Sequence, residues 1–368
     1  MVKLEHKHTC IVCKTKHREI GLTMTEIISP ELLWDLKKTH TLIDVRSPSE
    51  FSQGHIPDAF NLPLFNDEER AKVGTLYKTV SPDSAFLKGL DFVGPKMSGF
   101  IKKVRKWSPE NKVLIHCWRG GKRSGSVAWL LNFAGFEVKI LQGGYKNYRH
   151  QVLSGFSSPK KILILGGKTG TGKTAVLHAL KGQGEQIIDL EGLAHHKGSA
   201  FGWIGEKEQP TTEQFENNLY EEWRLLNPEK RIWVENESRN VGAVFIPTDF
   251  WFAMKNAPSI HLIVPNEERL KHLVAVYCST QKEDLIESFR KIEKKIGTER
   301  LKKCENFVVE GNFASAASEA LAYYDKTYSF GFDGVAPELR HELVVDTITP
   351  EENAEFLIGF ADKNLGGY

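Results

Sequence analysis

The chain has 368 residues, of which 40% are hydrophobic and 26% charged, and its formal net charge is +2. This length predicts two domains with separate cores, and the composition is that of an ordinary globular protein, which excludes a low-complexity chain. The near-neutral charge neither requires nor excludes a nucleic-acid partner, because phosphate binding depends on how basic residues cluster.

Five cysteines in a chain of this length do not form a disulfide scaffold. No run approaches the roughly 18 apolar residues that a membrane span requires. The first residues also lack the apolar core of a signal peptide. We therefore expect a cytoplasmic protein with free thiols and no membrane partner.

The first 23 residues contain Cys10 and Cys13 at the C-x2-C spacing of metal ligands. The two cysteines are therefore zinc candidates. The histidines that would complete such a site (His6, His8 and His17) are irregularly spaced, and Met24 is an alternative start. We expect residues 1–23 to form a flexible leader rather than a metal site.

Residues 24–150 alternate short apolar runs with helical patterns, which predicts a domain with a parallel α/β sheet. Strands are predicted at 41–46, 112–115 and 138–141, and a helix at 124–133. The stretch 154–159 is small and polar, as is typical of a domain junction. We place a linker at 151–160.

The second predicted strand leads into a loop rich in glycine and arginine, which Cys117 opens. Backbone N–H groups and the positive end of the next helix favour a thiolate there, relative to the ordinary cysteine pKa of about 8.5. Nearby cations should bind an anion above the sulfur, whereas a structural cysteine would have apolar neighbours. We predict Cys117, Arg119 and Arg123 as catalytic residues. The other anion-binding residues of this thiol loop (residues 117–124) are Trp118, Gly120, Gly121, Lys122 and Ser124.

The stretches 42–63 and 141–145 resemble the rhodanese superfamily, and the resemblance covers residues 24–150. It implies a rhodanese-like domain in which Asp44 and Arg46 hold the fold. Sulfur-transferring rhodaneses commonly carry C-x4-R, whereas Cys117 and Arg123 give C-x5-R. The wider loop suits a phosphate-bearing donor, and it also resembles the signature of rhodanese-related phosphatases, so phosphatase activity remains open for this domain.

From residue 161 the alternation of strands and helices starts again. Strands are predicted at 162–165, 186–189, 231–235 and 260–264, and helices at 174–180, 283–303 and 314–324. The pattern predicts a second α/β domain over residues 161–368 with a helical C-terminal part, and a G-x4-G-K-T loop at 167–174 makes this domain P-loop NTPase-like.

Between the first strand and the first helix of this second domain lies a G-x4-G-K-T sequence, which matches the P-loop pattern. Its glycines let backbone N–H groups face a diphosphate, Lys173 adds positive charge, and the Thr174 hydroxyl is placed for Mg²⁺. The pattern does not identify the phosphate compound. The residues of this phosphate loop (residues 167–174) are Gly167, Lys168, Thr169, Gly170, Thr171, Gly172, Lys173 and Thr174.

Charged residues follow two strands of the second domain. Glu235 ends a strand where a magnesium-orienting carboxylate is expected, and Glu237 and Arg239 come close behind it. Asp189 and Glu191 follow the preceding strand and should reach the same sheet edge. We predict these five as Mg²⁺ or substrate ligands, with a solvated charged turn as the alternative for Glu235. Mg²⁺ is the expected cofactor, and no organic cofactor is expected.

The two loops together, with the segments 189–194, 196–202, 209–210, 215–217 and 234–239, resemble the tRNA 2-selenouridine synthase family over residues 24–330. The resemblance implies a transferase that acts on wobble 2-thiouridine in the anticodon loops of tRNAs for lysine, glutamate and glutamine. It implies geranylation of the sulfur by geranyl diphosphate, followed by its exchange for selenium from selenophosphate. Selenophosphate synthetase is a candidate protein partner.

On this interpretation Cys117 carries selenium as a perselenide, and the phosphate loop stabilises the leaving diphosphate. The competing class is an ATP-dependent kinase or NTPase fused to a rhodanese-type sulfurtransferase or phosphatase module. Trp118 is a candidate for stacking on the wobble base. Basic clusters at 102–106 and 291–303 are candidate tRNA contacts, with solvated helix faces as the alternative. Further candidate nucleotide contacts near the phosphate loop are His195, His196, Lys197 and Arg239.

Overall fold

The computed structural model of the protein describes residues 25–278, 280–332 and 336–368, with side chains except at 327–332. The predicted leader with Cys10 and Cys13 lies outside these residues. Two parallel sheets, one in each half of the chain, organise the described part. The prediction of two successive parallel α/β domains is confirmed. None of the described helices is long and apolar enough to cross a membrane.

The N-terminal domain is a parallel sheet flanked by helices. Its strands are β1 (Glu26–Ile28), β2 (Thr41–Asp44), β3 (Phe60–Asn61), β4 (Lys112–His116) and β5 (Glu137–Leu141). Its helices are α1 (Leu33–Lys37), α2 (Pro48–Gln53), α3 (Asp67–Thr79), α4 (Pro82–Val93), α5 (Met97–Trp107), α6 (Lys122–Phe133) and α7 (Gly144–Gly155). The strand order is β1-β5-β4-β2-β3, so β4 is central.

Strand β4 is central because its side chains are apolar on both faces of the sheet. Val113, Leu114 and Ile115 are all fully buried. In the sheet register, Ile115 lies between Ile43 of β2 and Ile140 of β5. Whatever follows β4 therefore emerges at the middle of the carboxyl edge of the sheet, where parallel α/β folds bind ligands.

The predicted fold-holding pair of this domain is a buried ion pair. Arg46 and Asp44 are both almost fully buried, and Arg46 Nη2 lies 2.6 Å from Asp44 Oδ2. The same nitrogen donates a 2.7 Å hydrogen bond to the carbonyl of Gly54. The pair thus fixes the end of β2 to the turn that follows α2.

The C-terminal domain is a second parallel sheet with a large helical segment. Its strands are β6 (Ile162–Gly167), β7 (Gln186–Ile188), β8 (Ile232–Glu235), β9 (Asn240–Val241), β10 (Val244–Phe245), β11 (Ser259–Ile263) and β12 (Arg340–Val344). Its helices are α8 (Lys173–Gly182), α9 (Leu190–Ala194), α10 (Thr212–Trp223), α11 (Thr248–Lys255), α12 (Asn266–Tyr277), α13 (Lys282–Lys291), α14 (Glu293–Ile296), α15 (Thr298–Val309), α16 (Phe313–Phe332) and α17 (Pro350–Asn364). The sheet order is β12-β11-β6-β8-β7, and β9 and β10 form a separate hairpin.

Two parts of this domain differ from the sequence expectation. Helices α12 to α16 lie between β11 and β12 and pack around an apolar cluster that also contains Phe201 and Ile204. The chain then returns to the sheet, because β12 pairs in parallel with β11. Strand β12 has polar residues at three of its five positions, as exposed edge strands often do. Because it lacks an apolar run, it was not predicted from the sequence.

The two domains share one apolar cluster. Helix α7 contributes Tyr148 and Val152 to it and continues to Gly155, so the first half of the predicted linker is helical. Phe156 follows and is also buried, with its ring against those of Tyr220 and Phe250. The chain therefore passes from one domain to the other through a packed joint.

Candidate active sites

The structure places Cys117 directly after β4, at the carboxyl edge of the N-terminal sheet, with 3% of its surface exposed. Its sulfur lies 3.4 Å from the hydroxyl of Ser124. Burial alone raises the pKa of the thiol, but hydrogen bonds from this hydroxyl and from the N–H groups of Ser124, Arg119 and Gly121 outweigh burial. The pKa of Cys117 therefore lies below its ordinary value, as a reactive thiolate requires.

The start of α7 holds the thiol loop in place. The N–H of Tyr145 donates to the carbonyl of Cys117, and the N–H of Lys146 to that of Trp118, both at 2.9 Å. Gly144 has a φ of +59°, and any side chain there would collide with the Cys117 carbonyl. The loop and the helix can approach this closely only because residue 144 is glycine.

The three predicted cations of the loop have different surroundings. Arg123 is bound to Glu50, with Nη1 at 2.5 Å from one carboxylate oxygen and Nη2 at 3.2 Å from the other. Arg119 and Lys122 are exposed, and the Lys122 ammonium lies 5.5 Å above the ring of Phe86. Two cations at the rim are thus available to an incoming anion, while Arg123 fixes α6 against α2. Anion binding by this loop stays a prediction.

Trp118 is 37% exposed. Its ring lies 5.8 Å from that of the buried Tyr145, at an angle of 48°. One side of the indole thus packs on the protein, and the rest faces solvent beside the thiol. The arrangement is compatible with base stacking, which also stays a prediction.

The phosphate loop joins β6, the central strand of the second sheet, to α8. Lys173, the first residue of α8, turns its ammonium to the carbonyl of Gly167 at 3.0 Å. The Thr171 hydroxyl donates to the carbonyl of Lys168 at 2.9 Å. The loop closes on itself at the positive end of an α-helix, which is the place where proteins commonly bind phosphate.

Three of the predicted carboxylates gather beside the phosphate loop. The Thr174 hydroxyl donates to Glu191 at 2.7 Å, and the Glu191 N–H donates to Glu235 Oε1 at 2.7 Å. Within the described residues, the other oxygen of Glu235 is buried without a hydrogen-bond partner. Burial, and next the charge of Glu191, raise the pKa of Glu237 to about 8, although Lys173 opposes them. Burial also raises the pKa of Glu235 well above its ordinary value.

The other two predicted ligands make contacts away from the phosphate loop. Asp189 accepts a 2.7 Å hydrogen bond from the N–H of Gly192 at the start of α9 and pairs with His178 at 2.7 Å. The Arg239 guanidinium donates to the hydroxyl of Thr248 at 2.8 Å. In this structure their side chains support neighbouring elements, and a direct role at the phosphate site stays a prediction.

A loop with left-handed backbone at Gly198 closes over these carboxylates. Gly198 has a φ of +70°, and a β-carbon there would lie 2.8 Å from Glu191 and 2.9 Å from Glu237. The next residue, Ser199, already faces a different environment, the apolar cavity. The loop 196–202 therefore separates the carboxylates from that cavity.

The cavity was not predicted from the sequence. It lies beside Thr169 of the phosphate loop. Helices α12, α13 and α16 provide most of its wall, and the lining is almost wholly apolar. The helices were partly predicted, but a cavity arises from how three of them pack, which no local pattern encodes.

A buried arginine, also missed, ties the phosphate loop to these helices. Arg269 of α12 is 3% exposed, and its Nε donates to the carbonyl of Thr169 at 2.9 Å. Its two terminal nitrogens bind Asp325 of α16, at 2.9 and 2.5 Å. Lys168 also lies 3.7 Å from Asp325. The cavity helices therefore hold the tip of the phosphate loop.

The two predicted basic clusters are not equivalent. In the second cluster Lys291 pairs with Glu287, while Arg300 and Lys303 both pair with Glu319. In the first, the basic residues of α5 are exposed and form no ion pair within the described part of the chain. These are Lys102, Lys103, Arg105 and Lys106. Helix α5 therefore has the less neutralised charge.

The fold and its two loops define a rhodanese-like thiol domain joined to a P-loop domain with an apolar cavity. A family profile described as "tRNA 2-selenouridine synthase AAA domain" matches residues 160–331, and a "Rhodanese-like domain" profile matches residues 29–151. Both matches agree with the two domains seen in the structure.

Several curated relatives carry the name tRNA 2-selenouridine synthase. The protein of Psychromonas ingrahamii is 33% identical over 348 residues, which cover 83% of this chain and 94% of the relative. That of Bdellovibrio bacteriovorus is 40% identical over 266 residues, 68% of each chain. That of Sulfurovum sp. is 33% identical over 328 residues, which cover 78% of this chain and 88% of the relative. The chain belongs to the tRNA 2-selenouridine synthase family, a family of tRNA-modifying enzymes, which confirms the resemblance seen in the sequence.

Proposed function

We propose that the protein converts wobble 2-thiouridine into 2-selenouridine in two steps, in tRNAs for lysine, glutamate and glutamine. At the phosphate loop, the sulfur is alkylated with the geranyl group of geranyl diphosphate. At the thiol loop, selenium from selenophosphate replaces the geranylthio group. Selenophosphate synthetase supplies that donor. Membership of the family supports tRNA and selenium as substrates.

The observation that carries the first step is the position of the apolar cavity. It lies beside Thr169, so a ligand with its phosphates in the phosphate loop has its remaining part next to the cavity. The ribose and base of a nucleotide need polar partners, whereas this lining is almost wholly apolar and suits a hydrocarbon. An isoprenoid diphosphate matches both halves of the site, which favours it over the ATP of the kinase or NTPase alternative.

In the alkylation the bond from sulfur to C1 of the geranyl group forms, and the bond from C1 to the diphosphate oxygen breaks. The leaving diphosphate takes the electron pair, so negative charge develops at the phosphate loop, and the N3 proton of the thiouridine is released to solvent. The loop N–H groups, the start of α8 and Lys173 are placed to stabilise that charge. A preorganised donor of this kind contributes on the order of 3 kcal/mol to a barrier.

Mg²⁺ fits the same site. Glu235 has a buried oxygen to which no described residue forms a hydrogen bond, and the Thr174 hydroxyl donates to Glu191. Within the described residues, no three His, Cys, Asp or Glu side chains are grouped to hold a metal on their own. Thr174, Glu191 and Glu235 would therefore hold the ion together with water and the diphosphate, as is usual for Mg²⁺. When bound, it neutralises charge on the leaving group.

The second step belongs to Cys117. Its lowered pKa provides a thiolate, which attacks the phosphorus of selenophosphate. The P–Se bond breaks and selenide leaves with the electron pair, so no oxidant is needed, whereas a perselenide on Cys117 would require one. The selenide then attacks C2 of the geranylated uridine, geranylthiolate leaves, and water hydrolyses the phosphocysteine. The exposed Arg119 and Lys122 attract the phosphate of the selenium donor. Prior geranylation helps the exchange, because a geranylthiolate leaves the uridine carbon more readily than a doubly charged sulfide.

The test supplies 2-thiouridine-containing tRNA and geranyl diphosphate, then selenophosphate, and analyses the digested nucleosides by mass spectrometry. Lys173→Ala should abolish the geranyl adduct, and Lys181→Ala, an exposed lysine on the same helix, should not. Cys117→Ser should keep geranylation and lose selenation, whereas the exposed Cys278→Ser should keep both. ATP hydrolysis without any geranyl adduct would support the NTPase alternative instead.

A further inference from the structure

One face of helix α16 runs along the whole apolar cavity. The residues that line it are three or four positions apart or adjacent, which is the spacing of a single helical face. The residues of α16 on the opposite face, Ala314, Ser318 and Ala322, are exposed. The lining residues are Phe313, Ala316, Ala317, Ala320, Leu321 and Tyr324.

The cavity has a phosphate end and a hydrocarbon end. Asp325 follows Tyr324 and binds Arg269, which in turn holds Thr169 of the phosphate loop. The hydroxyl of Tyr324 accepts a hydrogen bond of 3.1 Å from the N–H of Ala200, in the loop that covers the carboxylates. Tyr324 of α16 and Ser199 of that loop, which both line the cavity and carry hydroxyl groups, therefore lie at the same end of the cavity.

At the other end the lining is pure hydrocarbon. Phe313 is the first residue of α16 and lies there beside Val308, the buried residue near the end of α15. Phe313 and Tyr324 are eleven residues apart, which at about 1.5 Å per residue corresponds to about 16 Å. Between them, the small side chains of Ala316, Ala317 and Ala320 leave the space that larger residues would fill.

These dimensions match an isoprenoid chain of limited length. The eight main-chain carbons of a geranyl group span roughly 9 Å, given bonds of about 1.5 Å in a zigzag. A chain that starts beside Tyr324 therefore passes Ala320 and ends near Ala317. A farnesyl chain of twelve main-chain carbons spans roughly 14 Å by the same measure and ends at Phe313.

We propose that this face of α16 sets the length of the transferred chain. Ala320 and Ala317 admit a chain beyond five carbons, and Phe313 closes the cavity to chains longer than farnesyl. This inference rests on the proposed prenyl transfer and deepens it by assigning its chain-length specificity to three residues. The phosphate loop makes no such distinction, because every substrate of this class carries the same diphosphate.

The test compares dimethylallyl, geranyl, farnesyl and geranylgeranyl diphosphate as donors to 2-thiouridine-containing tRNA. Ala320→Leu should lower kcat/KM for geranyl at least about tenfold while dimethylallyl transfer persists, since filling an apolar pocket discriminates by about 10- to 200-fold. Phe313→Ala should raise geranylgeranyl transfer relative to geranyl. Ala322→Leu, on the exposed face of the same helix, should leave the order of donors unchanged.

Two results overturn the inference in distinguishable ways. If the unaltered protein transfers none of the four groups, the proposed function fails and this inference with it. If it transfers geranyl but neither Ala320→Leu nor Phe313→Ala changes the order of donors, only the chain-length assignment fails. Phe313→Ala keeps the test decisive should Ala320→Leu fold poorly, and binding of inorganic pyrophosphate reports whether the phosphate loop of each variant is intact.

Discussion

Tyr145 joins Cys117 to the other domain. Its backbone N–H donates to the carbonyl of Cys117 at 2.9 Å, and its buried hydroxyl donates to Glu213 of α10 at 2.7 Å. Asn217, also on α10, donates to the same hydroxyl at 2.8 Å. The residue that fixes the thiol loop is therefore also a centre of the domain interface, and the geometry of the loop depends on both domains being docked.

Tyr145→Phe should destabilise the protein. The variant keeps the ring but removes the hydroxyl that donates to Glu213 and accepts from Asn217, which we expect to cost about 1–3 kcal/mol in the free energy of unfolding. Tyr148→Phe is the matched control, because no group in the described part of the chain forms a hydrogen bond with its buried hydroxyl. Urea unfolding should show a lower free energy of unfolding for Tyr145→Phe and an unchanged or higher one for Tyr148→Phe. Equal losses would contradict the role given to the Tyr145 hydroxyl.

Ser124→Ala should raise the pKa of Cys117. The Ser124 hydroxyl is one of the groups that hold the thiol pKa below its ordinary value against the effect of burial. Without it, less thiolate is present at neutral pH. The measurement is the pH dependence of iodoacetamide alkylation, read on the Cys117 peptide by mass spectrometry. The pH at which alkylation is half-maximal should rise in Ser124→Ala. In Ser126→Ala, which changes an exposed serine of the same helix, this pH should stay unchanged.

Glu237→Gln should weaken the pH dependence of stability. In the folded protein the pKa of Glu237 is raised to about 8, from an ordinary value of 4.5. Between these values the folded state keeps a proton that the unfolded chain releases, so stability falls as pH rises. The slope for one such group is at most about 1.4 kcal/mol per pH unit.

The measurement for Glu237 is urea unfolding at several pH values between 5 and 8. The loss of stability toward pH 8 should be smaller in Glu237→Gln than in the unaltered protein. Glu229→Gln, which changes an exposed glutamate, should keep the original slope. An unchanged slope in Glu237→Gln would show that this carboxyl is already ionised at neutral pH.

Arg269→Ala should weaken diphosphate binding although the side chain lies on the far side of the loop. It removes the donor to the Thr169 carbonyl and leaves Asp325 without its bidentate partner. We expect an affinity for inorganic pyrophosphate about tenfold lower, equivalent to about 1.4 kcal/mol, by calorimetric titration. Arg269→Lys should recover only part of the lost affinity, because an ammonium group cannot form the two parallel hydrogen bonds that the guanidinium makes to Asp325. Lys271→Ala, exposed on the same helix, should bind normally.

The features of this protein that can be predicted from its sequence are those that depend on a continuous stretch of residues. Both loops follow an apolar strand and precede a helix, so chain order alone places Cys117 and Lys173 at sheet edges. Arg269 and Asp325 could not be found in this way, because they lie in a charge-rich helical region where nothing local shows which charge is buried. The hydroxyl of Tyr145 is similar, since its partners lie more than 60 residues away in the chain.

Helices α12 to α16 enter between two neighbouring strands, β11 and β12, and their apolar core has no residue in common with the core of the sheet that carries the phosphate loop. On the proposed function, the phosphate loop binds the diphosphate, and most of the residues that contact the hydrocarbon lie in the inserted helices. Substitutions in the inserted helices can alter which chain is accepted while the loop that holds the leaving group keeps its sequence. Substitutions at Arg269 would be constrained, because its side chain connects the inserted helices to the phosphate loop through the carbonyl of Thr169.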